Sequence, residues 1–241
     1  MAGIRRPASW LGDLAAALGA EGLALRGAFR PVESDAVPAF APGVATRTLV
    51  LVGNVGPAMW GRFAPHAGLE PDPLDAWTRR AVEPVALAFG ALAVFPFDAP
   101  PLPFQRWAGR AEGLHASPLG LMIHPDYGLW HAYRAALMLA DEIEGVTEPL
   151  PRPSPCESCA TRPCLSACPV GAFTPGRYDV DACASHLASA EGEACRRDGC
   201  RARDACPVGT GHRYPPAQVR FHMSAFLRAR TEQDPAPRVV S

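Results

Sequence analysis

Lysine is absent from the sequence, and all 23 basic residues are arginine. That excludes a Schiff-base lysine, a pyridoxal-phosphate attachment point and a P-loop lysine, and with them the enzyme classes built on these groups. Charge of either sign is scarce: 20% of the 241 residues are charged and the formal net charge is −1. Such a chain sets up no broad field for a polyanion, so nucleic acid is not an expected partner. No run approaches the roughly 20 apolar residues that span a bilayer, so the expectation is a soluble, cytoplasmic protein with no membrane partner. Cysteine is missing from the first 155 residues, and all eight cysteines fall between Cys156 and Cys206. The chain therefore divides into two regions of different chemistry, both within reach of the 48% hydrophobic residues needed to bury a core.

In the cysteine-free region, "MAGIRRPASWLGDLAAALGAEG" has the basic pair and Ala/Leu run of an export signal, but Asp13 breaks the run. Leu11, Leu14, Ala15 and Leu18 instead predict an amphipathic helix with Ser9 as its N-cap. "TRTLVLVG" (46–53) reads as a buried strand leading into "NVGPAMWGRFAPH", where Pro57 suits the first turn of a helix. Residues 72–91 read as a helix opening at Asp72 with Pro73 in the first position and a kink near Pro84, followed by a strand over 92–97. "LGLMIHP" and "WHAYRAALMLADEI" add two apolar segments, the first of which is strand or helix by pattern alone. The mixture predicts an α+β fold. The expected boundaries are an α+β region over 1–146, a stiff proline-rich connector "TEPLPRPSP" over 147–155, a cysteine module over 156–215, and a C-terminal helix and tail over 216–241 that frays after Arg230.

The first cysteine block is Cys156-x2-Cys159-x4-Cys164-x3-Cys168-Pro169; Cys183 follows, then Cys195-x4-Cys200-x5-Cys206-Pro207. A disulfide framework belongs to small secreted chains without a core. Four-cysteine zinc sites need close pairs, and the second block has no C-x2-C. Bacterial two-cluster ferredoxins end each run in Cys-Pro and lend the last thiolate of each run to the opposite cluster. "CPVGAF" and "CPVG" repeat that ending, so two [4Fe-4S] clusters are the expected cofactors. The reciprocal scheme assigns Cys156, Cys159, Cys164 and Cys206 to one cluster and Cys168, Cys183, Cys195 and Cys200 to the other. The Cys159-to-Cys164 and Cys200-to-Cys206 spacings exceed those of a plain small ferredoxin. Arg196, Arg197, Arg201 and Arg203 crowd the second block, as a solvated loop or as a docking face for an acidic electron donor.

"VDACASHL" followed by "DGCRARDACPVG" resembles the ferredoxin module of epoxyqueuosine reductases and reductive dehalogenases. "LVLVGNVGPAMWGRF", "DPLDAW" and "IHPDYGLWHAYRAALML" resemble cobalamin-processing proteins of the cyanocobalamin-decyanase type, over about residues 46–140. The resemblance implies a flavin-reductase or nitroreductase-like corrinoid domain followed by a ferredoxin-like two-cluster module. It implies cobalamin as a candidate cofactor and a low-potential donor, flavodoxin or a reductase, as a partner. It also implies a corrinoid pocket lined by His124, Tyr127, Gly128, Trp130 and Arg134, with Asn54, Gly56 and Pro57 in a loop nearby. Each of these has an ordinary alternative: His124 in a turn, Trp130 in a core, Arg134 in an ion pair with Asp126 or Glu142. No counterpart of the acidic proton-donor segment of epoxyqueuosine reductases is found. The expected function is electron transfer through two clusters to a corrinoid or substrate in the N-terminal region, an oxidoreductase of the cobalamin-linked type. The alternative is a ferredoxin-like carrier or partner subunit without cobalamin.

Overall fold

The structure is a computed structural model that describes residues 4–68, 70–147, 149–150 and 152–233, with side chains to Arg230. The tail beyond Gln233, and parts of the expected connector at Glu148 and Pro151, lie outside the described residues. The chain packs as two units. The first comprises 1–115 and 131–153, the second 116–130 and 154–241. The junction at 153–154 falls within the expected connector. Residues 116–130, by contrast, leave the first region and pack with the cysteines.

The first unit is built on a four-stranded antiparallel sheet. Its strands are β1 (Ala24–Phe29), β2 (Thr48–Val55), β3 (Leu92–Val94) and β4 (His131–Leu139), in the order β1-β2-β4-β3. β2 is the strand expected from "TLVLVG", and Leu49, Val50, Leu51 and Val52 are fully buried, as a central strand covered on both faces requires. β4 comes from "HAYRAALML" and pairs along its whole length with β2, Leu51 opposite Ala136 and Asn54 opposite Ala132.

Three helices cover the sheet: α1 (Ser9–Ala20), α2 (Pro73–Ala88) and α3 (Phe104–Glu112). α1 packs on β1 with Leu14 and Leu18 fully buried, following the predicted stripe. Ser9 is its first helical residue rather than its cap; the N-cap is Ala8, with no side-chain bond. The arginine pair ahead of it forms a short parallel pairing, Arg5–Arg6 against Glu142–Ile143, with Arg6 Nε 2.6 Å from Asp141 Oδ2. α2 begins at Pro73 after Asp72 as expected and continues through Pro84 to Ala88. Pro57 lies in a turn, and one helical turn follows at Trp60–Phe63.

The second unit consists of short helices around the cysteines: α4 (Pro163–Ser166), α5 (Val180–Ala188), α6 (Glu193–Asp198), α7 (Arg201–Asp204) and the long α8 (Pro216–Gln233). A hairpin of β5 (Phe173–Thr174) and β6 (Arg177–Tyr178) precedes α5. α5 is capped by Asp179, whose side chain accepts the N–H of Ala182 at 2.9 Å. Leu119, Ile123, Leu129, Phe173 and Ala202 form its apolar centre, with Cys206 among them and Cys156, Cys164, Cys168 and Cys200 packed against it. No described helix is long and apolar enough to cross a membrane.

Candidate functional site

In the second unit one local pattern occurs twice. A single helical turn, α4 or α7, is followed two residues later by Cys-Pro-Val-Gly: Cys168 to Gly171, and Cys206 to Gly209. The two turns pack against each other. Proline cannot extend the turn's backbone pairing, and the glycine takes a left-handed conformation to reverse the chain, φ 60° at Gly171 and 71° at Gly209.

All eight cysteines are free thiols. Their mutual electrostatic influence sorts them without overlap. Cys156 is acted on by Cys206 and Cys159, and Cys164 by Cys206, Cys156 and Cys159. Cys183 is acted on by Cys168, while Cys195 and Cys200 each feel Cys168 and Cys183. Cys156, Cys159, Cys164 and Cys206 also line one small cavity, with Ile123 and Val208. Burial pushes the thiols of Cys156, Cys164, Cys183, Cys195 and Cys200 above their usual range. Among the described residues, no three His, Cys, Asp or Glu side chains are drawn together closely enough to hold a single metal ion. The two quartets are thus defined by electrostatic reach and shared lining rather than by contact.

The segment 116–130 is fastened to the second Cys-Pro loop. A Cβ on Gly128, at φ 58°, would stand 1.9 Å from the carbonyl oxygen of Val208, and one on Gly209 would stand 2.2 Å from the carbonyl carbon of Tyr127. The two backbones approach at a distance only paired glycines allow. His124 closes the turn beside this contact: its Nδ1 accepts the N–H of Asp126 at 3.0 Å and of Tyr127 at 3.2 Å, and its ring stacks on Tyr127 at 4.0 Å. The Arg203 guanidinium lies over Trp130 at 4.5 Å and over Tyr214 at 4.6 Å, and donates through Nε and Nη2 to the carbonyl of Leu129. Four of the eight residues expected to line a corrinoid pocket, His124, Tyr127, Gly128 and Trp130, are therefore part of the cysteine-bearing unit. Trp130, 5% exposed, keeps its indole N–H without a hydrogen-bond partner among the described residues, as does the fully buried amide of Gln218, which sequence reasoning missed.

Asn54 and Arg134 meet in the first unit. Asn54 pairs with Ala132, so Arg134 is its diagonal neighbour on the same face, and its Nε donates to Asn54 Oδ1 at 3.1 Å. Asp75 at the start of α2 feels the charge of Arg134. Burial pushes the Asp75 carboxyl above its usual value against the pull of Arg134. Gly56 and Pro57 lie in the turn that follows β2. On the other face, Arg26 is 1% exposed and bonds Glu112 at 2.9 Å and His131 Nδ1 at 3.3 Å, while Tyr133 donates to Glu112. Desolvation and Glu112 hold the Tyr133 hydroxyl well above the usual phenol range. No sequence motif marks this network, because it depends on α3 settling over β1.

The arginines of the second block are largely committed locally. Arg196 donates to the carbonyls of Leu187 and Ser189, Arg203 holds Leu129, and Arg197 pairs with Asp198 at 2.9 Å.

No protein-family model matches the chain, and no curated protein matches it. Among solved structures it is similar to a C. elegans B12-trafficking protein CblC, a human MMACHC homologue, at 14% identity and a TM-score of 0.52, covering 97% of this chain and 99% of that one. Epoxyqueuosine reductase from Streptococcus thermophilus matches at 19% identity and TM-score 0.47, over 70% of this chain and 51% of that one. An epoxyqueuosine reductase in complex with a modified tRNA stem loop matches at 18% identity and TM-score 0.46, over 70% and 50%. The chain spans about half the length of these reductases. The likeness to CblC extends over nearly the whole of both chains and shows a shared mixed helix-and-sheet fold, in agreement with the α+β expectation.

Proposed function

We propose that this chain is an electron-transfer protein holding two [4Fe-4S] clusters, one on Cys156, Cys159, Cys164 and Cys206 and the other on Cys168, Cys183, Cys195 and Cys200. The observation that carries the reading is the cavity that Cys156, Cys159 and Cys164 of the first sequence block share with Cys206 of the second. When bound, such clusters supply one-electron chemistry at low potential. The protein's own residues bury Cys195 and Cys206, aim the N–H of Ala172 at Cys168, and fix the Cys206 loop through the Gly128–Gly209 contact.

The electron acceptor in this reading is a corrinoid or other substrate of the N-terminal unit, supported by the fold shared with a B12-trafficking protein and by the resemblance of residues 46–140. Asn54 and Arg134 are its proposed polar contacts, joined by the turn at Gly56 and Pro57. His124, Tyr127, Gly128 and Trp130, which the sequence resemblance also assigns to a corrinoid pocket, belong to the cysteine-bearing unit, where the Trp130 N–H and the Gln218 amide are buried without a hydrogen-bond partner among the described residues. A bound corrin would offer amide oxygens to Asn54 and Arg134. Asp75, whose carboxyl burial favours in the neutral form, is the proposed acid that the sequence did not reveal. A flavodoxin or reductase is the proposed electron donor.

The rival reading, a carrier without cobalamin, draws on the local duties already performed by His124, Tyr127, Gly128 and Trp130. Anaerobic reconstitution followed by titration with hydroxocobalamin separates the two. The proposal predicts about eight irons per chain, a spectral shift on cobalamin binding, and reduction of cobalt by a low-potential donor. Eight irons with no shift and no reduction support the carrier, and zinc in place of iron removes both.

A further inference from the structure

A cavity of the second unit, separate from the one shared by Cys156 and Cys206, lies among the end of α6, α7 and the first turns of α8, with Trp130 and Arg203 in its wall. Trp130 is 5% exposed, and its indole N–H has no hydrogen-bond partner among the described residues. Buried donors in native proteins are satisfied by the chain, by water or by a ligand. Arg203 is committed only in part. Its Nε and Nη2 donate to the Leu129 carbonyl, and its guanidinium lies over the rings of Trp130 and Tyr214. Nη1 is the nitrogen left to donate elsewhere.

Among the described residues that line the cavity, Asp198 is the only acid, and Arg197 holds both of its oxygens, Nε and Nη2 each donating at 2.9 Å. Its charge is matched locally. The cavity is left with two donors, one of them cationic, facing the apolar side chains of Val219 and Met223 on α8.

Size and lining narrow the occupant. The cavity measures about 40 Å³, on a scale where one water needs about 10–15 Å³, so it takes about three or four heavy atoms. That excludes a corrin ring or a nucleotide. Ordered waters need about two to four polar partners each, which the apolar side does not supply, and a cation finds no unmatched acid. We propose that the cavity binds a short-chain monocarboxylate of formate-to-acetate size, its oxygens on the Trp130 N–H and Arg203 Nη1 and its carbon end against Val219 and Met223. The site adjoins Cys200 and stands whether or not that sulfur holds a cluster.

The test is thermal unfolding of the anaerobically reconstituted full chain against sodium acetate, with ionic strength held constant by sodium chloride. The melting temperature of wild type is expected to climb with the logarithm of acetate concentration above the dissociation constant. Acetamide, of the same size but neutral, is expected to bind at least about tenfold more weakly. Trp130→Phe, which keeps an aromatic face under Arg203 and removes the N–H, is expected to weaken acetate by about tenfold. Val219→Leu lengthens a side chain of the wall with the indole intact, and is expected to weaken acetate as well. Should Trp130→Phe fail to fold, Val219→Leu and the acetamide comparison decide. No effect of acetate on wild type, acetamide equal to acetate, or a rise shared equally by wild type and the folded variants, as a general salt effect would give, overturns the inference and leaves the electron-transfer reading standing.

Discussion

Gly128→Ala adds one methyl group to a solvent-poor contact, and its effect follows from two distances. The new Cβ would lie 1.9 Å from the Val208 carbonyl oxygen, where contacts under 3.0 Å do not occur, so the two backbones must part by 3.0 − 1.9, about 1.1 Å. The residue must also hold φ 58°, which costs an L-residue about 1 kcal/mol. Parting the backbones loosens the packing of Val208 and of the Arg203–Trp130 stack, for about 2 kcal/mol more. The sum, about 3 kcal/mol, corresponds to a fall in melting temperature of about 6–12 °C for a chain of this size. Because Val208 follows Cys206 by two residues, the variant should also lose iron from the Cys206 quartet, toward about four per chain. The assay is thermal unfolding by circular dichroism, with iron and sulfide determined on the same sample. A variant that melts with wild type and keeps eight irons would refute the reasoning.

Other consequences are as direct. Arg26→Met leaves the Glu112 carboxylate, 14% exposed, without its cation and should cost about 3–5 kcal/mol in denaturant unfolding, whereas Arg26→Met with Glu112→Leu should recover most of that; equal losses in the two would contradict the assignment. The Asp75 carboxyl is raised by burial, so its native state holds its proton to higher pH than the unfolded state does. Its contribution to stability is full below the unfolded value of 3.8 and is lost as pH rises through the native value. Asp75→Asn should therefore melt higher than wild type at pH 7, and the gain should vanish below pH 3.8. A constant difference across the pH range would show that ionisation is not the cause.

The proposed cysteine assignment comes from the sequence because it follows a chemical rule, the exchange of the last ligand between two Cys-Pro runs, that needs no coordinates. Strand β2 and the stripe of α1 were legible because their burial is written in local periodicity. The segment "LGLMIHP" was the ambiguous one, and its Met122–Ile123 forms a strand of two residues, too short for a period to mark. The partner of Arg134 depends on the register between β2 and β4, which no local pattern encodes. The membership of residues 116–130 in the cysteine-bearing unit depends on the approach of Gly128 to Gly209, eighty-one positions along the chain, and a glycine announces permission for such a contact without naming its partner.

The central claim is that each cluster is shared between the two sequence blocks, and iron counting on cysteine variants tests it most directly. Cys206→Ser and Cys164→Ser, from different blocks but one quartet, should each reduce the content from about eight irons to about four, and the double variant should lose no more than either. Cys206→Ser combined with Cys200→Ser should lose nearly all of it. If Cys206→Ser and Cys200→Ser prove to be the redundant pair instead, each block holds its own metal and the account is contradicted.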